Sequence, residues 1–345
     1  MTGVSFVLPV CNGGPRLAET VASIAAQADG RPMEIIVIED GSQDGSSALL
    51  RSLAGGYGLT VADGPRSGAA AAVNAGIRLA SQPIICQVDQ DVVLAHGWLT
   101  TLVAALDDPD VGAAQGCYVS DPAASFFARV MALDLEQRYS RIGAYPDHVC
   151  TGNTAYRATA LRDVGLLDES FGYGYDNDLS YRLQAAGYRL RFCPDARSTH
   201  RWREGVAAYL TQQYGFGYGR LGLVARWPNR CTGDSVSPPA MMAHPVVMAA
   251  ALCLLSAAAL MQAMAGNTFA FETAGLGLIG VLAIERALAG ISAAMRFADP
   301  AALAFPLVHL ARDLAWVGAA LMWIARRILR RPHKPKHSMT ARAAG

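Results

Sequence analysis

Along the first 120 residues, short apolar and β-branched runs alternate with longer stretches whose apolar positions recur at helical spacing. "VSFVLPV" (4–10), "MEIIVIED" (33–40) and "LTVADG" (59–64) read as strands, and "PIICQVDQD" (83–91) as a further apolar strand. Between them, "RLAETVASIAAQA" places Leu17, Val21, Ile24 and Ala25 close to one helical stripe. "SALLRSLAGG" reads as a helix closed by glycines, and the Ala-rich "GAAAAVNAGIRLA" predicts another. Strand and helix in alternation predict an α/β fold, a mostly parallel sheet flanked by helices. In such sheets ligands sit beyond the carboxyl ends of the strands.

The pattern changes after residue 230. From Ser235 to Phe271 there is no Asp, Glu, Lys or Arg. Residues 244–266 are about one bilayer span at helical rise. A second apolar run, 269–291, carries Glu272 near one end and Glu285-Arg286 towards the other, and a third, 301–325, is interrupted by Arg312-Asp313. The link "NTFAFET" lacks Lys and Arg, whereas Arg286 and Arg296 follow the second run and Arg326, Arg327, Arg330, Arg331, Lys334 and Lys336 follow the third. Two spans return this basic tail to the inside; a third would export it, against the positive-inside bias. The expected organisation is a cytoplasmic domain (1–230), a membrane region (231–325) with transmembrane helices at about 244–266 and 269–291, and a basic cytoplasmic tail (326–345). The third run is expected to lie along the interface or re-enter.

Composition agrees with this division: 52% of the chain is hydrophobic and 17% charged. The net charge of +1 offers no general basis for nucleic-acid binding. Seven cysteines without a CxxC pair suggest a reducing compartment. "MTGVSFVLPV" has no basic stretch before its apolar run, so no cleavable signal peptide is expected. Attachment to the cytoplasmic (inner) membrane as a multi-pass protein follows.

The strand ends carry the polar chemistry: Pro9-Val10-Cys11-Asn12, Glu39-Asp40-Gly41-Ser42 and Asp89-Gln90-Asp91. Asp40 and Ser42 read equally as turn and cap residues. On an ideal strand Asp89 and Asp91 share a side, where two carboxylates repel unless a cation lies between them. Mg²⁺ held by one or two carboxylates and substrate phosphate fits that arrangement, and a solvated loop start is the other reading. No GxGxxG follows the first strand and no GxxxxGK[ST] is present, which leaves a dehydrogenase or a P-loop enzyme unsupported.

"SFVLPVCNGG", "EIIVIEDGSQDGS", "GAAAAVNAGI", "CQVDQDVVLAHGWL" and "VCTGNTAYRATALRDVGLLDESFGYGYDNDLSYRLQAAGYRLRFCPDARSTH", in this order, resemble family 2 glycosyltransferases of the A-type fold. The resemblance covers roughly residues 4 to 220. It implies transfer of a sugar from a nucleotide-diphospho-sugar donor, usually with inversion, aided by a divalent metal (Mg²⁺ or Mn²⁺). Carried over residue by residue, Pro9, Asn12, Asp40, Ser42, Arg66, Asp89 and Gly152 contact the donor, with Asp40 on its base. Asp91, with Asp89 and His200, holds the metal. Asp176 aligns with the general base.

Two departures stand out. Tyr175 occupies the acidic first position of the family's Glu-Asp pair, leaving Asp176 and Asp178 as catalytic candidates; Asp176 is expected as base and Asp178 as cap of the helix carrying Leu179 and Leu183. Ala69 stands where a basic residue often follows the glycine, which makes Arg66 the candidate phosphate contact. "YLTQQYGFGYGRLGLVARWPNR" lacks the QxxRW of processive synthases, so single-sugar transfer is expected. That segment reads as an ordinary amphipathic helix or as a lid with Arg220 near phosphate. Membrane attachment favours a lipid-linked or polysaccharide acceptor beside membrane lipid. The competing reading is a non-catalytic membrane protein that binds a nucleotide-sugar or a partner.

Overall fold

The computed structural model describes residues 1–264 and 266–329. Eight strands form one sheet: β1 (Val4–Val10), β2 (Met33–Glu39), β3 (Leu59–Asp63), β4 (Ile84–Val88), β5 (Val92–Leu94), β6 (Val111–Val119), β7 (Asn153–Arg157) and β8 (Arg189–His200). Their spatial order is β3-β2-β1-β4-β7-β6-β8-β5. Helices α1 (Leu17–Ala25), α2 (Ser46–Tyr57), α3 (Ala69–Leu79) and α4 (Trp98–Ala105) alternate with the first strands. They are followed by α5 (Phe126–Tyr139), α6 (Ala158–Asp163), α7 (Tyr175–Ala185) and α8 (Val206–Arg226). The last three are α9 (Pro239–Ala263), α10 (Phe269–Phe297) and α11 (Phe305–Ile328).

The pairs β1–β2, β1–β4, β2–β3 and β6–β8 are parallel, whereas β7 runs antiparallel to β4 and β6, and β5 antiparallel to β8. The sheet is therefore mixed, its parallel half coming from the alternating N-terminal segments. β1 is buried along its whole length because helices cover both faces. Phe6, Leu8 and Val10 pack with Leu17 and Val21 of α1 and Trp98 and Leu99 of α4, while Val7 points the other way, to Ala70 and Val73 of α3. The period-2 alternation of a strand thus serves two cores at once.

α9, α10 and the segment Pro300–Ile328 are each long and apolar enough to cross a membrane, by length and composition. α9 starts earlier than residue 244, α10 continues past 291, and α11 covers most of the third run. The contacts of Gly275 with Ala251 and Leu255, and of Leu282 with Met248, make α9 and α10 an antiparallel hairpin. Both its free ends return to the sheet domain. α9 begins five residues after Asp234, which is bonded to α7 and α8. Near the other end of the hairpin, Gln137 of α5 donates to the carbonyl of Ala289 of α10 (3.2 Å), and Arg129 pairs with Asp299 (3.1 Å).

α11 runs beside α8 in the same direction: Trp316 meets Gln213 and Gly217, Ala319 meets Gly217, and Arg326 lies over Tyr218. Its opposite face exposes Leu307, Leu314, Leu321 and Ile328, seven residues apart. Where α11 crosses the hairpin, a layer of ionisable side chains closes. His244 contacts Glu285 and Asp313, each at 3.2 Å, and Arg312 bonds Asp313 at 2.9 Å. Residues 330–345, most of the expected basic tail, lie outside the described residues.

Candidate active site

β4 ends in a turn whose three residues point different ways for identifiable reasons. Gln90 is buried and bonds both backbone groups of Cys11 at the end of β1, accepting from its N–H (2.8 Å) and donating to its carbonyl (3.1 Å). With Gln90 anchored inside, Asp89 and Asp91 on either side stay at the rim. Antiparallel pairing of β5 with β8 sets Val92 opposite His200, and the Arg201 N–H donates to the Asp91 carbonyl (2.9 Å). The His200 Nε2 consequently stands 3.5 Å from an Asp91 carboxylate oxygen. Ligand atoms of Asp89, Asp91 and His200 all lie within 4.8 Å of one another. Two carboxylates and an imidazole at this spacing suit a divalent cation.

Pairing of β4 with β7 brings Gly152 against Asp89, whose N–H donates to the Gly152 carbonyl (3.2 Å). A Cβ at residue 152 would overlap the Asp89 carboxylate, so only glycine permits this approach. Asp89 also accepts from the Gln87 amide at 2.9 Å. Asp89, Gly152 and His200, with Pro9 and Asp176, line a cavity of about 310 Å³.

A second group sits at the ends of β1 and β2. Asp40 is buried and accepts from the Arg66 N–H (2.5 Å), Ser42 accepts from the Asn12 N–H (2.9 Å), and Asn12 accepts from the Gln43 N–H (2.7 Å). Arg66 takes positive φ, with its side chain beside Gly41. Asp40, Asn12, Ser42 and Arg66 thus form one interlocked loop cluster at the carboxyl edge of the parallel strands, adjoining the main cavity through Cys11 and Gln90.

The pair Asp176 and Asp178 is split. Both fall in the first turn of α7, where residues two apart face different sides. Asp176 lines the cavity. Asp178 does not cap the helix as expected: the cap position belongs to Gly174, in left-handed conformation, and no side-chain cap bond is made. Its carboxylate is fully buried between Arg182 (2.7 Å), Arg226 (3.2 Å) and the Trp227 indole (3.0 Å), away from the cavity lining. Charge neutralisation explains its presence there, since Arg226 and Trp227 arrive from the end of α8.

The sequence reading passed over His148, four residues before Gly152. Buried, it stands 3.4 Å from Asp176 and 3.6 Å from Asp234, ion-pair contacts longer than hydrogen bonds. Burial disfavours its charged form, but Asp234, with Cys150 and Asp176, outweighs that and raises its pKa well above the usual imidazole range. Asp234 in turn is held well below the usual carboxylate range: burial opposes this, and His148 and Arg220 overcome it. Asn177, Tyr181 and Arg220 also bond Asp234, at 2.9–3.1 Å. Arg220 is therefore an anchor of α8 and not a free cation. His148, Cys150 and Asp176 come within 4.8 Å of one another as well. His148 is buried with Asp176 on one side and Asp234 on the other, which favours an ion-pairing role for it and leaves the Asp89 group, at the rim of the cavity, as the better cation site.

α8 is a continuous helix that forms one wall of the cavity through Tyr209, Gln212 and Phe216. α5 and α11 contribute its far end with Arg138, Arg312 and Trp316.

Comparison with known proteins bears on this arrangement. Residues 5–165 match the family described as Glycosyl transferase family 2. The chain is 30% identical over 249 residues to a pre-mycofactocin glycosyltransferase of Mycobacterium tuberculosis, covering 70% of this chain and 51% of that protein. It therefore spans about half the length of that relative. An uncharacterized glycosyltransferase of Mycobacterium bovis is 30% identical over 188 residues, which are 54% of this chain and 81% of the relative. Among solved structures, a mannosyltransferase from Pyrobaculum calidifontis in complex with GDP-Man and Mn²⁺ superposes with a TM-score of 0.58 at 20% identity, covering 93% of this chain and 86% of that one. At that identity the likeness shows the fold alone.

Proposed function

Because the chain belongs to glycosyl transferase family 2, we propose that it transfers a glycosyl unit from a nucleotide-diphospho-sugar to a hydroxyl of a membrane-associated acceptor, with inversion. The observation that carries this reading is a single cavity lined by the Asp89 and His200 carboxylate–imidazole group at one side and by Asp176 at another. As the acceptor oxygen bonds to the anomeric carbon, Asp176 takes its proton, and the bond from that carbon to the phosphate oxygen breaks with its electron pair leaving on the nucleoside diphosphate. Attack opposite the leaving group inverts the anomeric centre and needs no covalent enzyme intermediate.

Asp91, Asp89 and His200 would hold the divalent cation, and a bound Mg²⁺ or Mn²⁺ would neutralise charge developing on the leaving diphosphate. Asp40 would face the donor's base from the neighbouring loop cluster, with Asn12, Ser42 and Arg66 shaping that loop. Purified full-length protein incubated with Mn²⁺ and GDP-mannose or UDP-N-acetylglucosamine is expected to release nucleoside diphosphate when acceptor is present. Saturable donor binding without any release, across acceptors, would instead support the non-catalytic reading.

Gly152 offers a separate check of the donor end. Gly152→Ala is expected to displace the Asp89 carboxylate and weaken Mn²⁺-dependent donor affinity at least tenfold, or about 1.4 kcal/mol, in a protein that still folds. Titration calorimetry reads this directly, and an unchanged dissociation constant would detach Asp89 from donor binding.

For the membrane disposition, α9 and α10 are proposed as the two spans, with the sheet domain on the cytoplasmic face of the inner membrane. Both hairpin ends lie at the sheet domain, as two spans require. α11 is proposed to lie in the plane of the interface. It runs beside α8, which is bonded to the sheet domain through Arg226, and its exposed leucine stripe suits acyl chains. A reporter inserted after Asn267 is expected outside and one fused after Gly345 inside. A tail accessible only from the outer face would make α11 a third span.

A further inference from the structure

The cavity does not end at Asp176. It continues between α5, α8 and α11, where Tyr209, Gln212, Phe216, Arg312 and Trp316 line it. On the reading that Asp176 is the base of a glycosyltransferase, we propose that this far end is the acceptor subsite and that it takes a glycosyl headgroup of a lipid, attacked through one of its hydroxyls, in place of a lipid phosphate.

Charge distribution is the first reason. A phosphate monoester needs cationic partners with charge to spare, since arginine forks and lysines bind it by charge-assisted hydrogen bonds. The arginines at this end are already neutralised by carboxylates of their own: Arg138 bonds Asp134 (3.0 Å), Arg220 bonds Asp234 (3.0 Å) and Arg312 bonds Asp313 (2.9 Å). Asp134 itself lines the cavity, so a phosphate dianion would meet it. Arg203, also in the lining, follows His200 by three residues and is itself engaged with a partner.

The second reason is the reaction. A phosphate monoester is ionised at neutral pH and attacks without a base, whereas a sugar hydroxyl must lose its proton as the bond forms. Asp176 is held by the His148–Asp234 pair at the point where the far end of the cavity meets the donor end. A positioned carboxylate has work to do only on a hydroxyl.

The lining chemistry agrees. The amide of Gln212 can donate and accept, matching hydroxyls that do the same. Phe216 is exposed in the lining and offers its ring to the C–H face of a sugar, with the more deeply buried Tyr209 and Trp316 in the same lining. α11, which forms the floor, carries its leucine stripe on the outer side, where the acceptor's lipid chain would continue into the bilayer.

The test uses the full chain in a zwitterionic detergent with Mn²⁺ and GDP-mannose or UDP-N-acetylglucosamine. Octyl glycosides of several hexoses are compared with undecaprenyl phosphate as acceptors. At least one octyl glycoside is expected to raise nucleoside diphosphate release tenfold or more over donor hydrolysis, with a product stable to mild acid. Stimulation by undecaprenyl phosphate alone, with an acid-labile product, would overturn the acceptor class and leave the transferase reading standing. No release above donor hydrolysis with either kind of acceptor would overturn both. Gln212→Ala, at a half-buried position that folding should tolerate, is expected to raise the KM for the octyl glycoside at least tenfold. An unchanged acceptor KM, or an equal rise in the donor KM, would remove Gln212 from the acceptor subsite.

Discussion

Asp176→Asn is expected to lower turnover by about a hundredfold or more, the size of a general-base contribution, while donor and metal dissociation constants stay near those of the parent. Asn keeps the size of the side chain and can still accept a hydrogen bond, so the loss isolates proton transfer. The informative partner is Asp178→Asn. Asp178 is fully buried between Arg182 and Arg226, and removing its charge leaves Arg182 without this counter-ion and Arg226 with Asp168 alone. Breaking such a pair costs roughly 3–5 kcal/mol, so this variant is expected to melt earlier yet turn over at close to the parental rate per folded molecule. Transfer rates beside thermal unfolding curves separate the two. Should Asp178→Asn be the inactive variant with its stability intact, the roles would have to be exchanged. A matching loss of donor affinity in Asp176→Asn would move Asp176 into the donor site.

Asp91→Asn carries the other large effect: loss of Mn²⁺-dependent donor binding in a protein that still folds. Asp91 is half-buried at a strand end, within reach of His200 and Asp89 but outside the apolar core clusters, so packing should survive the change. A donor present at a hundred times its dissociation constant stabilises the native state by about 2.7 kcal/mol. GDP-mannose and UDP-N-acetylglucosamine, each with and without MnCl₂, therefore give a measurable melting shift in the parent if either binds. In Asp91→Asn that shift is expected to vanish, as it should when a chelator is added to the parent. A variant that keeps the full Mn²⁺-dependent shift would show the cation to be held elsewhere.

What could be read from the linear chain is what repeats locally. Alternation of apolar runs and helical stripes in the first 94 residues is enough for β1 to β4 and the helices between them, because each element's period reflects burial on its own faces. Loss of charge after Ser235 announced α9, and two carboxylates two residues apart marked the turn after β4. Other features have no local period. His148 precedes Asp176 by 28 residues and Asp234 follows by 58, and no spacing announces that the three converge; only the packing of α7 and α8 against the segment before β7 brings them together. Nothing local in the sequence marks that the Gln90 side chain, between two carboxylates, locks to Cys11.

Asp176 and Asp178 differ for the same reason. In the sequence both are catalytic candidates, with Asp178 expected as a cap, and the turn of α7 sends Asp176 into the cavity and Asp178 into the arginines of α7 and α8. The sequence by itself determined the α/β alternation, the metal-suited pair at a strand end and the two-part division of the chain, since these depend on composition and short-range periodicity. The tertiary structure alone decided that β5–β8 pairing is what brings His200 to Asp91, that Gly152 must lack a side chain beside Asp89, and that α11 runs with α8. Each of these depends on which distant surfaces meet, and that is set by the packing of the whole chain.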